Sequence, residues 1–82
     1  MNVSVRLFAR AKDLAGTSSI CIELPDGATV AELRRRLALE YPALAGLLDR
    51  SALAVADEFA DDSHALYAGA SVALLPPVSG GS

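Results

Sequence analysis

Apolar side chains recur at every second position in several short stretches of the chain, and this period predicts β-strands with one buried face. The alternation is clearest at residues 3–7, 20–24 and 71–75. A shorter apolar run at residues 53–56 and an extended piece at Phe59 bring the number of predicted strands to five. In the last stretch, Val72 and Leu74 share one face and Ala73 and Leu75 the other.

A helical period replaces this alternation after residue 29. The expected buried stripe of this principal helix consists of Val30, Leu33, Leu37 and Tyr41. Thr29 and Glu32 have the spacing of a capping box, so we expect them to cap the first turn. The helix must end before Pro42, because the residue before a proline disfavours helical geometry. Shorter helices are predicted at residues 8–15, closed by Gly16, and directly after Pro42.

The order of these elements is strand, strand, helix, short helix, strand, short strand, strand. It predicts an α+β fold in which the principal helix packs across one face of a mixed sheet, with the first and last strands as central neighbours, as in the ubiquitin-like β-grasp. We assign residues 1–75 to this domain and residues 76–82 to a flexible tail. Because helices cover only one face of such a sheet, we predict Leu75 and Phe59 as partner-docking residues.

Size and composition narrow the possible functions. The 82 residues, 52% of them apolar, suffice for one domain with a thin core. A lone Cys21 excludes an internal disulfide and favours a reducing, cytoplasmic setting. Because the sequence contains no long apolar run, no membrane span is expected. The net charge of −3 disfavours binding to nucleic acid and favours a basic protein as the partner.

Three polar features of the domain could suggest a function, and for each we favour a structural interpretation. The run Arg34-Arg35-Arg36 lies mostly off the apolar stripe and is interpreted as a solvated helix face. The acidic residues of the segment 57–62 lack the spacing of a calcium loop, so no metal site is expected. His64 has no serine or cysteine at motif spacing and is interpreted as a surface residue.

The last seven residues form a segment of unusual slimness. Pro76-Pro77 ends the final strand and leaves the chain extended, and beyond it only Val78 has a sizeable side chain. Ser79, Gly80, Gly81 and Ser82 are small enough to thread a narrow channel. A frayed terminus remains the alternative, since Gly/Ser-rich ends are usually flexible.

Nearly the whole chain resembles the MoaD family, the small subunits of molybdopterin synthase, which are ubiquitin-like sulfur carriers. The segments that carry the resemblance are residues 7–9, 14–16 and 29–33 and, as the specific one, the block 72–81 that ends Pro-Pro-Val-Ser-Gly-Gly. The family commonly has Asn where Ala56 stands and acidic residues where Ala68 and Ala70 flank Gly69. These departures put the stability of the turns in question more than the function.

The resemblance implies that the backbone carboxylate of Gly81 is the working group. An E1-like, MoeB-like enzyme would adenylate it with ATP, and a sulfur donor would convert it to a thiocarboxylate. The tail, Pro76 to Gly80, would then thread into a MoaE-like large subunit, where the sulfur attacks cyclic pyranopterin monophosphate to form molybdopterin. The chain itself would bind no cofactor and would not be catalytic alone; in the family it forms a heterotetramer of two small and two large subunits.

Ser82 stands against this interpretation, because a residue after Gly81 turns the required carboxylate into an amide. Loss of Ser82 is therefore part of the hypothesis. Two alternatives remain open: a sulfur carrier for thiamine, cysteine or tRNA thiolation, and a non-enzymatic ubiquitin-like interaction module whose tail is a linker.

Overall fold

The computed structural model describes residues 1–77 and contains five strands and three α-helices, with one 3₁₀ turn. In chain order the elements are β1 (Asn2–Leu7), α1 (Ala9–Ala15), β2 (Ser19–Glu23), α2 (Val30–Glu40), the 3₁₀ turn Pro42–Leu44, α3 (Ala45–Leu48), β3 (Ala52–Val55), β4 (Glu58–Ala60) and β5 (Ser71–Leu75). Each predicted strand and helix is present to within one or two residues, as strong periodicity in short segments allows.

The strands form one mixed sheet in the order β2-β1-β5-β3-β4. The first and last strands pair parallel at its centre, with Val5 opposite Val72, whereas every other neighbouring pair is antiparallel. This confirms the predicted β-grasp arrangement. Because β1 and β5 are parallel, their C-terminal ends lie at the same end of the sheet.

All helices contribute to one core on one face of the sheet. The apolar stripe of α2 is buried as predicted, and Tyr41, the residue after the helix, packs half-buried against the core. The side chains with almost no exposed surface are Val3, Val5, Leu7, Ile22, Val30, Leu33, Leu37, Leu44, Leu48, Leu53, Val72 and Leu74. On the strands these residues all belong to one alternation, so the opposite face of the sheet is left largely open.

The start of α2 is held by a distant loop, and the predicted capping box is wrong. Thr29 occupies the N-cap position, but its side chain makes no capping hydrogen bond. Instead the N–H of Val30 donates to the carbonyl of His64 and that of Ala31 to the carbonyl of Asp62, both at 3.0 Å. Free N–H groups at a helix start need only some acceptor, and here backbone carbonyls supply it.

Arg34 is also not the solvated residue that the arginine run suggested. Its side chain is only 22% exposed; Nε donates to Oδ1 of Asp62 at 2.8 Å, and a second guanidinium N–H donates to the carbonyl of Leu48. One side chain thus ties α2 to the 61–64 loop and to the end of α3. Arg35 and Arg36 are exposed, as predicted.

The turn between β3 and β4 places two residues in the left-handed region, Ala56 at φ 52° and Asp57 at φ 69°. Aspartate tolerates this geometry better than alanine does, because its short polar side chain bonds locally. Ala56 is therefore the strained position, and it is the one where the resemblance predicted a weaker turn.

We expect Ala56→Gly to raise the free energy of unfolding by about 0.5–1 kcal/mol. Relief of left-handed strain of about 1–2 kcal/mol is partly offset by the greater freedom of glycine in the unfolded chain. Urea denaturation measures the change. As a control, Ala52→Gly in extended β3 should lower stability, and equal losses at both sites would contradict the strain at Ala56.

We expect Arg34→Ala to lower the free energy of unfolding by about 1–2 kcal/mol, because it removes a half-buried charged donor from two acceptors. The neighbouring exposed variant Arg35→Ala is the matched control and should stay within about 0.5 kcal/mol of the parent. Denaturant midpoints compare the two. Similar values for both variants would show that Arg34 contributes no more than a surface charge.

Candidate functional site

The open face of the sheet, which we call the outer face, is formed by the strand residues that point away from the core. Strand register places them in rows across the sheet, since directly opposite residues point to the same side. One complete row runs from edge to edge: Ser19, Arg6, Ala73, Ala54 and Phe59. The outer face is thus polar on the β2 side and apolar on the β4 side.

The apolar half contains both residues predicted to dock a partner. Phe59 is 78% exposed on the edge strand β4, and Leu75 is half-buried at the end of β5. Both lie on the outer face together with Ala52, Ala54 and Ala73, which we call the apolar patch. Small alanines between the two large side chains leave a shallow surface on which a partner can pack closely.

The tail leaves the sheet beside this patch. Directly after Leu75, Pro76 is half-buried and Pro77 is exposed. The residues predicted to thread a partner and to carry the chemistry, from Val78 to Gly81, lie outside the described residues, as does Ser82. What the structure describes is therefore the position from which the tail starts.

The polar half of the outer face contains a feature that the sequence did not reveal. A shallow cleft of about 530 Å³ lies at the edge where β1 ends, and we call it the basic cleft. Its lining is formed by Ser4, Arg6, Leu7, Phe8, Ala9, Lys12, Ser18, Ser19 and Ser71. Alternation in β1 alone could have placed Arg6 on this face, but the approach of Lys12 depends on how α1 packs.

The other polar groups form ordinary surface structure. Ser63 donates its hydroxyl and its backbone N–H to Oδ1 of Asp61, at 2.7 and 3.1 Å, and these bonds lower the pKa of Asp61 below its usual value. His64 is exposed. Cys21 lies exposed on the outer face, opposite Ser4.

Within residues 1–77, no three His, Cys, Asp or Glu side chains come together as a metal site, and no buried side-chain polar atom lacks a hydrogen-bond partner. No helix in that range is long and apolar enough to cross a membrane. The described residues thus form an outer face with a basic cleft on one side, an apolar patch on the other and the start of the tail after Leu75.

Comparison with known proteins gives a family match over almost the whole chain. The model of the ThiS family matches residues 5–81. Two similar curated relatives are molybdopterin synthase sulfur carrier subunits. The one from Arabidopsis thaliana is 32% identical and the match covers 99% of this chain and 84% of the relative, and the one from Chlamydomonas reinhardtii is 34% identical with 99% and 100% covered.

Solved structures of similar proteins have the same fold. The modifier protein SAMP1 from Haloferax volcanii superimposes with a TM-score of 0.88 at 29% identity, covering 99% of this chain and 100% of that one. A complex of subunits 1 and 2 of the molybdopterin-converting factor from Helicobacter pylori contains a chain with a TM-score of 0.71 at 30% identity, with 99% and 100% covered.

Truncation of Phe59 should leave the stability of the fold almost unchanged. We expect Phe59→Ala to change the free energy of unfolding by less than about 0.5 kcal/mol, because the ring is mostly in water already. Leu53→Ala, on the core face of the adjacent strand, should cost about 2–5 kcal/mol. Denaturant unfolding of both variants is the measurement, and a Phe59 loss as large as that of Leu53 would mean that the ring serves the core.

Proposed function

The chain belongs to the ThiS family, and we propose that it is the sulfur-carrier small subunit of a molybdopterin synthase. The observation that carries this proposal is the family match up to residue 81, which includes the glycine pair of the tail. The names of the curated relatives support the same assignment.

The proposed reaction takes place at the carboxylate of Gly81. That carboxylate attacks the α-phosphate of ATP on a MoeB-like E1 enzyme, pyrophosphate leaves, and an acyl adenylate forms. Hydrosulfide displaces AMP and gives the thiocarboxylate directly. With a persulfide donor, its terminal sulfur displaces AMP to form an acyl disulfide, and a second thiol then attacks the donor's sulfur, which releases a disulfide and leaves the thiocarboxylate. Activation by adenylation is needed because a free carboxylate is a poor electrophile.

In the second half-reaction the tail enters a MoaE-like large subunit. The thiocarboxylate sulfur attacks an oxygen-bearing carbon of cyclic pyranopterin monophosphate, and the carbon–oxygen bond at that carbon breaks, with its oxygen leaving as water or remaining on the phosphate. Water then cleaves the acyl–sulfur bond, which leaves sulfur on the pterin and regenerates the carboxylate. Two such transfers supply the two sulfurs of the dithiolene. Glycine at positions 80 and 81 leaves the reacting carbonyl unshielded within the channel.

Docking on the large subunit is assigned to the apolar patch, with Phe59 and Leu75 as its large side chains. Exposed aromatic residues surrounded by small neighbours are typical anchors of protein interfaces. The complex of subunits 1 and 2 from Helicobacter pylori, which contains a chain of similar fold, supports a large-subunit partner. The proposed assembly is a heterotetramer in the cytoplasm, where a lone exposed thiol such as Cys21 stays reduced.

The similarity to SAMP1 favours a second candidate, a ubiquitin-like modifier whose activated terminus is joined to other proteins. It shares the fold and the adenylation step and differs only in what attacks the activated glycine. A carrier for another thiolation pathway differs in the acceptor of the sulfur. Formation of a thiocarboxylate, followed by transfer on a large subunit, separates the three.

The test is the intact mass of the protein after incubation with ATP, the E1-like enzyme and a sulfur donor. A chain that ends at Gly81 should gain the mass difference of one oxygen replaced by sulfur. The matched control retains Ser82 and should stay unchanged, because its Gly81 carbonyl is an amide.

The loaded chain is then mixed with the large subunit and cyclic pyranopterin monophosphate, and molybdopterin formation is followed. A chain ending at Gly81 that gains no sulfur, beside a proven carrier that does, would overturn the proposal. A loaded chain that yields no molybdopterin with an active large subunit would assign it to another pathway.

A further inference from the structure

We propose that the basic cleft binds a carboxylate side chain of the large subunit, and that this contact sets the orientation in which the carrier docks. This inference rests on the proposed function and adds to it the chemistry of the partner surface. It reverses the expectation from net charge, which favoured a basic partner.

The charges of the chain are unevenly distributed over its surface. Of the ten acidic residues, only Glu23 is an outer-face strand residue, and it lies at the far end of β2 from the cleft, paired with the Met1 amino group at 3.1 Å. The lining of the cleft contains Arg6 and Lys12 and no carboxylate. A partner that approaches the outer face therefore meets positive charge, although the whole protein is negative.

These two cations are available for a partner. Within residues 1–77, neither Arg6 nor Lys12 takes part in a salt bridge, whereas Arg34 and Arg36 do. Asp13 follows Lys12 in α1 but does not line the cleft. An unpaired cation beside another gains more from an incoming anion than one that is already neutralised.

The geometry of the cleft fits a carboxylate. The guanidinium carbon of Arg6 lies 5.4 Å from the centroid of the Phe8 ring, a cation–π contact that restrains the side chain while its N–H groups remain able to donate. The hydroxyls of Ser18, Ser19 and Ser71 line the same space and can donate to the second oxygen. The fourth serine of the lining, Ser4, donates its hydroxyl to the carbonyl of Ala70 at 3.4 Å. Arginine with convergent hydroxyls is a donor set that suits a two-oxygen anion.

The cleft lies close enough to the apolar patch and to the start of the tail for one partner surface to cover all three. Arg6 and Phe59 belong to the same row of the sheet, three strands apart, which is about 14 Å at the usual strand spacing. Phe8 follows Leu7, whose partner Leu74 precedes Leu75. A partner surface of ordinary interface size, about 800 Å², that covers the patch and the tail would also cover the cleft.

A charged contact at one side of the interface can fix the orientation of docking, which the apolar patch alone cannot do. Apolar burial has no direction, so the patch alone would allow the carrier to rotate on its partner. The tail must enter a channel, and entry requires one orientation. An ion pair at the opposite side of the face fixes that orientation and steers the encounter, so its effect should appear mainly in the association rate.

The test uses charge reversal of both cleft cations, Arg6→Glu and Lys12→Glu, in the full chain. Association with the large subunit from the same organism is measured by surface plasmon resonance at low and high salt. We expect each variant to associate about 10-fold more slowly at low salt and to lose most of the salt dependence. Arg35→Glu, an exposed arginine on α2, is the matched control and should associate like the parent.

Milder variants and a second readout keep the result interpretable. Arg6→Gln and Lys12→Gln should show smaller losses in the same direction, and urea unfolding checks that each variant is folded. Acid-to-lysine variants of the large subunit should include one that restores association to Arg6→Glu but weakens association with the parent. Thiocarboxylate formation on the E1-like enzyme, measured in the same variants, reports on the proposed function separately.

Two outcomes would overturn the inference alone: normal association by both reversal variants, or saturation of the cleft by inorganic phosphate or AMP with no effect on association. The first would show that the cleft lies outside the interface, and the second that it is a small-anion site. Failure of the parent to bind any large subunit would overturn the proposed function and this inference with it.

Discussion

The parallel pairing of β1 with β5 is the contact on which the rest of the molecule depends. It joins the two ends of the domain, with Ser4 donating its N–H to the carbonyl of Ala70 at 3.0 Å, and it occupies the centre of the sheet. Parallel neighbours cannot be joined by a tight turn, so all other elements lie in the connection between them. The C-terminal ends of both strands also lie at the same end of the sheet, which brings the start of the tail beside Phe8.

One-sided covering of this sheet by the helices leaves its second face open to solvent. A chain of 82 residues has helices enough for one face only, and they bury the alternation that contains Val5 and Val72. The second face must be tolerable in water by itself. Alanines and serines meet that requirement over most of the sheet, so the few large or charged residues there are the positions at which a partner could be recognised: Phe59, Leu75, Arg6 and Glu23.

The sequence was sufficient for features that depend on local periodicity. Alternation located the strands, the stripe of α2 identified its buried side, and the open face followed from having one principal helix. It also allowed Leu75 and Phe59 to be placed on the open face, because each lies on a short strand opposite to the buried alternation, and their role in docking stays a prediction. The chemistry proposed for Gly81 was inferred from the family resemblance and not from the periodicity of apolar residues.

Features that depend on contacts between distant segments could not be predicted in this way. The spacing of Thr29 and Glu32 permits a capping box, but carbonyls from a loop more than 30 residues away take the helix N–H groups. Arg34 looked like its two exposed neighbours because its acceptors, Asp62 and the Leu48 carbonyl, become neighbours only on folding. The basic cleft is of the same kind, since sheet pairing places Ser19 opposite Arg6 and Ser71 opposite Ser4, and helix packing brings Lys12.

The contrast between total and local charge bears on how a partner is inferred from sequence. Net charge governs the field at distances beyond about 10 Å, where salt screens it, whereas docking is decided by the groups that come into contact. Here the acidic residues lie on helices, turns and the two edge strands, and the cleft is lined by Arg6 and Lys12 with no carboxylate. A negative protein can in this way present a positive contact surface, and the sign of its partner follows from that surface.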